Sequence, residues 1–133
     1  MINYLAVLVA AIAAHVLGFL WYGPLFGKKW MQLMKLTDKD KEKAKQKGMA
    51  TAMVGSFLST LVMAGVLAFL VDLAGASVAN GLMLGFLTWL GFLATSQMGM
   101  VFWENKPWAL YMLQTGHYLV SLLVMGAILG VWA

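Results

Sequence analysis

KKWMQLMKLTDKDKEKAKQK, residues Lys28–Lys47, holds eight of the nine lysines of this 133-residue chain together with Asp38, Asp40 and Glu42. On either side the charge stops. Residues 1–27 carry none, and Gly48–Val71, Leu73–Trp103 and Pro107–Ala133 are also uncharged, separated only by Asp72 and by the corner Glu104–Asn105–Lys106. A helix needs about 20 apolar residues, at about 1.5 Å each, to cross the hydrocarbon of a bilayer, and all four uncharged stretches exceed that. Backbone polar groups must pair internally in hydrocarbon, and the alternating polarity of a membrane barrel is absent. The sequence therefore predicts an all-α polytopic membrane protein, four transmembrane helices in a bundle. They fall at about residues 2–22, 49–71, 78–103 and 107–131, in a single membrane domain (1–133) with a charged segment at 28–48.

With 62% hydrophobic residues in 133, no length is left for a soluble domain beside four spans. Cysteine is absent, which excludes disulfides, thiolate metal sites and cysteine catalysis. The first apolar run is not preceded by positive residues and reads as a first span rather than a cleavable leader. The positive-inside rule then places Lys28–Lys47 in the cytoplasm and both termini outside, in a bacterium's inner membrane. The uncharged spans offer no paired general acid and base, and the chain contains no arginine, so the expectation is a protein that is not an enzyme. The membrane accounts for the lysines, and no nucleic-acid partner is expected. Anionic lipid headgroups are, with Lys28, Lys29 and Lys35 nearest to them.

Small residues repeat along three of the helices. Ala6, Ala10, Ala14 and Gly18 line one face of the first; Gly81, Gly85, Thr88, Phe92, Thr95 and Gly99 line one face of the third; Gly126 and Gly130 close the fourth. Such stripes let helix backbones approach closely in lipid. One is expected to remain for a neighbour, giving a homo-oligomer, with a dimer favoured over a trimer. Trp21 and Tyr22 stand where an interfacial aromatic belt belongs, and Trp30, Leu33 and Met34 offer an apolar face to the headgroup boundary. Thr37 with Asp38 and Asp40 reads as a helix cap. That charged helix, with the pairs Asp38–Lys41, Asp40–Lys43 and Glu42–Lys45, is expected to continue through Gly48 into the second span.

Polar residues are costly inside a bilayer, so each asks for a partner or a purpose. His15 lies about 10 Å in from the lysine-side end of its helix and His117 about 15 Å in. Ser56, Ser59, Thr60, Gln97 and Gln114 fall in the same slab, so four helices contribute to one polar layer in the lysine-side half. Gln114 or a serine of the second helix is the expected partner of His117, and Leu122 the lipid-facing control position. Three readings of the layer stand. It is interhelical hydrogen-bond glue; or it is a permeation or substrate pocket; or His15 and His117 ligate a metal or the iron of haem b, with room left by the glycines. By function class these give a small transport, permeation or substrate-binding protein. The alternatives are an accessory subunit that docks other membrane proteins or lipids, and a haem or metal protein. The eleven methionines do not cluster as a copper site would require.

The run Val16–Met31, VLGFLWYGPLFGKKWM, resembles the signature of the bacterial domain-of-unknown-function 1761 family, most specifically in Trp21-Tyr22 followed by Phe26-Gly27 and Trp30. Gly85–Phe92 and Trp132 fit as well. The resemblance implies a small four-helix membrane protein with a charged segment after the first span. It implies no activity, and no site residue is carried over from it.

Overall fold

Asn3 starts the first helix. In the computed structural model, which describes residues 3–35, 37, 39, 40, 42, 43 and 48–132, its side-chain oxygen accepts from the N–H groups of Leu5 and Ala6 at 3.1 and 3.2 Å. These are two of the donors a helix start leaves unpaired. Helix α1 (Tyr4–Leu20) opens into a wide turn, Trp21–Leu25, and then α2 (Gly27–Met34). After the charged segment come α3 (Met49–Ala74) and α4 (Val78–Thr88), which widens into a π-helical segment, Trp89–Ala94. A short α5 (Gly99–Phe102) ends the third span, and α6 (Trp108–Val131) is the fourth. Four stretches are long and apolar enough to cross a membrane: Tyr4–Leu25, Ala50–Ala74, Val78–Phe102 and Trp108–Val131. Among the described residues there is no strand. This is an all-helical, multi-pass membrane protein.

Helix α6 is the axis of the bundle, and α1, α3 and α4 all pack on it. The closest pair is α4 with α6. A Cβ added to Gly81 would collide with the carbonyl of Gly126, one on Gly85 would lie 2.6 Å from the Leu122 oxygen, and one on Gly130 would strike the Ser77 carbonyl. Lipid tails are as apolar as leucine, so in a membrane such close backbone packing, not water exclusion, holds helices together. Across the axis, Ala6, Ala10 and Ala14 of α1 are buried against Ala64, Leu67 and Val71 of α3 and Leu122, Met125 and Leu129 of α6. The stripes of α1 and α6, and the Gly81–Gly85 part of the third, are thus spent inside one chain. Leu122, expected to face lipid, is 4% exposed in this core.

At the end away from the lysines the corner is closed by reciprocal caps. The Ser77 hydroxyl accepts from the Asn80 N–H at 3.1 Å, while the Asn80 amide donates to the carbonyls of Ala74 and Gly75 at 3.2 and 2.7 Å. Asp72, read from the sequence as part of this connection, belongs to the last turn of α3.

Several local expectations change. Gly48 has φ 103° and caps α3, so the charged helix does not run on into the second span. The third-helix stripe holds at Gly81 and Gly85, then fails: Phe92 is 72% exposed and Ala94 is buried in its place. A π turn inserts one residue, which rotates every later side chain by about 100° relative to the α-helical register. Thr37 does cap, and its partner is Asp40. The Thr37 N–H and hydroxyl donate to Asp40 Oδ2 at 2.9 and 3.0 Å, and the Asp40 N–H donates back to the hydroxyl at 3.3 Å. Asp38, Lys41 and Lys45 lie outside the described residues, and with them the pairs Asp38–Lys41 and Glu42–Lys45.

Candidate functional site

The site begins at a corner. Gly23 (φ −107°, ψ −106°) breaks the helical path, Pro24 supplies no N–H, and the Phe26 N–H reaches five residues back to the Trp21 carbonyl at 2.9 Å. Gly27 lets the chain fold back on itself, since a Cβ there would sit 2.7 Å from the Tyr22 oxygen. The corner turns its aromatic rings inward. Trp21 Nε1 donates to the Leu113 carbonyl of α6 at 3.0 Å, with the Phe26 ring at 4.7 Å. Trp21, expected in an interfacial belt, thus spends its donor on a helix of its own bundle. The ring of Tyr22 lies edge-to-face between Trp30 (5.5 Å) and His117 (5.1 Å).

The third span is pinned to α6 in the same manner. Trp89 Nε1 donates to the Thr115 carbonyl at 2.7 Å, and the Tyr111 hydroxyl donates to the Ala94 carbonyl at 2.5 Å. That carbonyl is available because the N–H of Met98 turns to Thr95, at 3.3 Å. An indole or phenol is suited to this role, presenting an apolar body to lipid-like surroundings and one donor to a carbonyl's second lone pair.

Helix α3 is buried at its far half and joins the core no earlier than Phe57. Ala64, Leu67, Ala68 and Val71 are buried, whereas Ala50–Ser56 are all exposed. The lysine-side half therefore stands away from the bundle and leaves a cleft of about 720 Å³ between α1, α3 and α6. Five of the predicted layer residues line it: His15, Ser56, Ser59, Thr60 and His117. The other two, Gln97 and Gln114, line a second cleft of about 640 Å³. Tyr22, Trp30 and Tyr118 border both, so an aromatic wall divides the layer in two.

Within the first cleft the hydroxyls of Ser59 and Thr60 donate to carbonyls of their own helix, Gly55 at 3.0 Å and Ser56 at 2.9 Å. Their oxygens keep acceptor capacity toward the opening. His15 sits edge-to-face against Phe19 and Phe57, at 4.9 and 5.6 Å. His117 rests on Gly18, where a Cβ would lie 3.3 Å from Nε2, and the same nitrogen is 3.4 Å from the hydroxyl of Ser121. The partner is thus Ser121 of its own helix, in place of Gln114 or a serine of α3. Its Nδ1 is buried with no protein partner, as is Trp30 Nε1 in the dividing wall.

The family described as "Protein of unknown function (DUF1761)" matches residues 5–130. The chain belongs to this family. No curated protein and no solved structure matches it. The DUF1761 match takes in all four spans and both clefts, and it bears out the resemblance read from the Trp21–Trp30 run. In the fold that run builds the corner holding the aromatic wall of this DUF1761 protein.

Sequence reasoning missed the wall itself. Tyr22 and Trp30 were assigned to the interface, Tyr118 was not singled out, and Glu104 was read only as part of a turn, although it lines the second cleft. One signal was present: Tyr118 follows Gln114 by four residues and so shares its helical face. The glycines do not supply the room that the haem reading asks of them, because Gly81, Gly85 and Gly126 are filled by facing backbone and Gly18 by the ring of His117; His15 and His117 do line one cleft together. Among the described residues no group of three or more His, Asp or Glu side chains gathers to hold a metal.

Proposed function

We propose that this DUF1761 protein is a non-catalytic binding protein of the inner membrane, and that the cleft between α1, α3 and α6 takes a small amphiphilic molecule for permeation or delivery. The observation that carries the reading is His117: one ring nitrogen is engaged by Ser121, the other is buried without a partner, and the ring forms part of a cleft lined by serine and threonine oxygens. A buried polar group without a partner costs about 1–3 kcal/mol, which a hydrogen-bonding ligand offsets once the ring turns that nitrogen toward the cleft. The apolar remainder of the lining, with Met53, Met63 and Phe19, suits a hydrocarbon portion. A thermal-shift screen of small amphiphiles tests this in detergent. Compounds that stabilise the native protein should lose that effect in His117→Leu. Equal stabilisation of both would rule the cleft out.

The orientation we favour puts the lysine side, and so the mouth of the cleft, in the cytoplasm, with both termini outside. In the chain lacking cysteine, a single Lys43→Cys should react with an impermeant maleimide only after the inner face is opened. The exposed Lys28, Lys29 and Lys35 then meet anionic headgroups. A homo-oligomer, dimer first, needs a surface other than the small-residue contacts already made within the chain. The exposed lysine-side half of α3 is the face we assign to it, and its docking on another membrane protein is the accessory-subunit alternative.

A further inference from the structure

The second cleft has a chemistry of its own. Three aromatic residues, Tyr22, Trp30 and Tyr118, border one side, and Gln97 and Gln114 add two amides. Among the described residues lining it, Glu104 is the one charged group; no lysine contributes, although the chain as a whole carries a formal charge of +4. The backbone that carries Glu104 is held by its own hydrogen bonds. The Glu104 N–H donates to the Gly99 carbonyl at 3.3 Å, Asn105 takes φ 55°, and the Lys106 N–H donates to the Met100 carbonyl at 2.9 Å.

Beyond the reading of the first cleft, we infer that this second cleft binds an organic ammonium cation. Aromatic faces attract a desolvated ammonium through their quadrupoles, and aromatic cages are a recurrent way of recognising quaternary ammonium groups. A carboxylate at the edge of such a cage supplies the counter-charge. The amides of Gln97 and Gln114 provide donors and acceptors for a hydroxyl or ester on the same molecule. An anion is disfavoured by Glu104. An inorganic cation would leave the three rings without a role and finds only one carboxylate, too few oxygen ligands for a hard metal ion. A wholly apolar ligand would bury the carboxylate unpaired. The ammonium can arrive as a free small molecule or as the headgroup of a zwitterionic lipid; the chemistry of recognition is shared.

The probe is radiolabelled choline, with its uncharged carbon isostere 3,3-dimethylbutan-1-ol as competitor, on the full chain in nanodiscs of phosphatidylglycerol. Choline is expected to bind saturably, with the isostere competing at least about tenfold more weakly. Glu104→Gln and Tyr118→Leu should each weaken choline by about tenfold, whereas Tyr118→Phe, which keeps a ring face, should bind nearly as well as the native protein. Met112→Leu, at an exposed position of α6 that lines neither cleft, should leave choline binding unchanged. Glu104 is exposed, so Glu104→Gln is expected to fold, and its elution profile in detergent checks that. Should it not fold, the Leu-to-Phe contrast at Tyr118 still decides. Adding phosphatidylcholine to the discs distinguishes the sources. Weaker apparent choline affinity identifies a headgroup as occupant and unchanged affinity a free cation; either upholds the site. Three results would overturn it: no saturable choline binding at millimolar concentration, equal competition by the isostere, or unchanged binding in Glu104→Gln.

Discussion

The two halves of the bundle use the same four helices in opposite ways. Away from the lysines, helices meet backbone to backbone at Gly81–Gly126 and through alanines, with each corner capped by side chains of its own. On the lysine side, the same helices part, and aromatic rings and polar groups occupy the space between them. The difference originates in side-chain size. Gly and Ala at four-residue spacing bring helices together, whereas Tyr22, Trp30 and Tyr118 stand between the two clefts of the lysine side. Cohesion and binding capacity have been allotted to separate ends of one small protein.

The largest effect should come from thickening the tight half. Gly81→Leu has to displace α6 and is expected to cost about 3 kcal/mol or more, or to abolish folding. Gly55→Leu, with nothing near its added carbon, should be neutral, as read by thermal unfolding in detergent. Comparable losses at both positions would dissolve the distinction between the halves. Next come the pins: Trp89→Phe, which removes the donor to Thr115, and Tyr111→Phe, which removes the donor to Ala94, are each expected to cost about 1 kcal/mol and to lower the melting temperature.

Smaller still is His117→Leu, placed within about 1 kcal/mol of the native protein because it removes a nitrogen that has no partner. Met112, 68% exposed on α6, is the lipid-facing control that Leu122 is not. A large destabilisation by His117→Leu would turn the polar layer back into structural glue. The least effect lies outside the bundle altogether. Hydrogen bonds from Thr37, backbone first, hold the Asp40 carboxyl below its ordinary value of 3.8. Because the folded value is depressed, the cap's contribution is fully present above that value and is lost as pH falls through the lower folded one. Amide exchange near Lys39–Lys43 should accelerate, relative to its intrinsic rate, only on acidification below about pH 3.8, and Asp40→Asn should remove that dependence.

Much of the tight half was legible in the sequence. Charge-free length set the four spans, and the Ala6–Ala10–Ala14 and Gly81–Gly85 spacings picked out close-packing faces though not their partners, because helical periodicity converts directly into a face. Those expectations hold until the period itself changes. At Trp89–Ala94 one additional residue per turn moved Phe92 outward and brought Ala94 in, which no fixed period anticipates. The polar layer was legible as a depth and not as a partition. Depth follows from counting residues, whereas the dividing wall depends on the Gly23 corner sending Tyr22 and Trp30 inward and on Glu104 being held against the mouth by a turn at Asn105. The capping pair Thr37–Asp40 is local and was readable; the splay of α3 is a tertiary outcome and was not.

That splay has a mechanical reading. Helix α3 is a rod gripped most firmly at Ala64–Val71, steadied by Phe57 and Leu61, with an arm that runs back to Met49. An arm of about 15 residues is about 22 Å long, so a tilt of only about 10° at the clamp would carry its tip about 4 Å. A rotation that barely disturbs the alanine contacts at the fulcrum is thereby magnified into a change as wide as a methylene chain at the mouth of the histidine cleft.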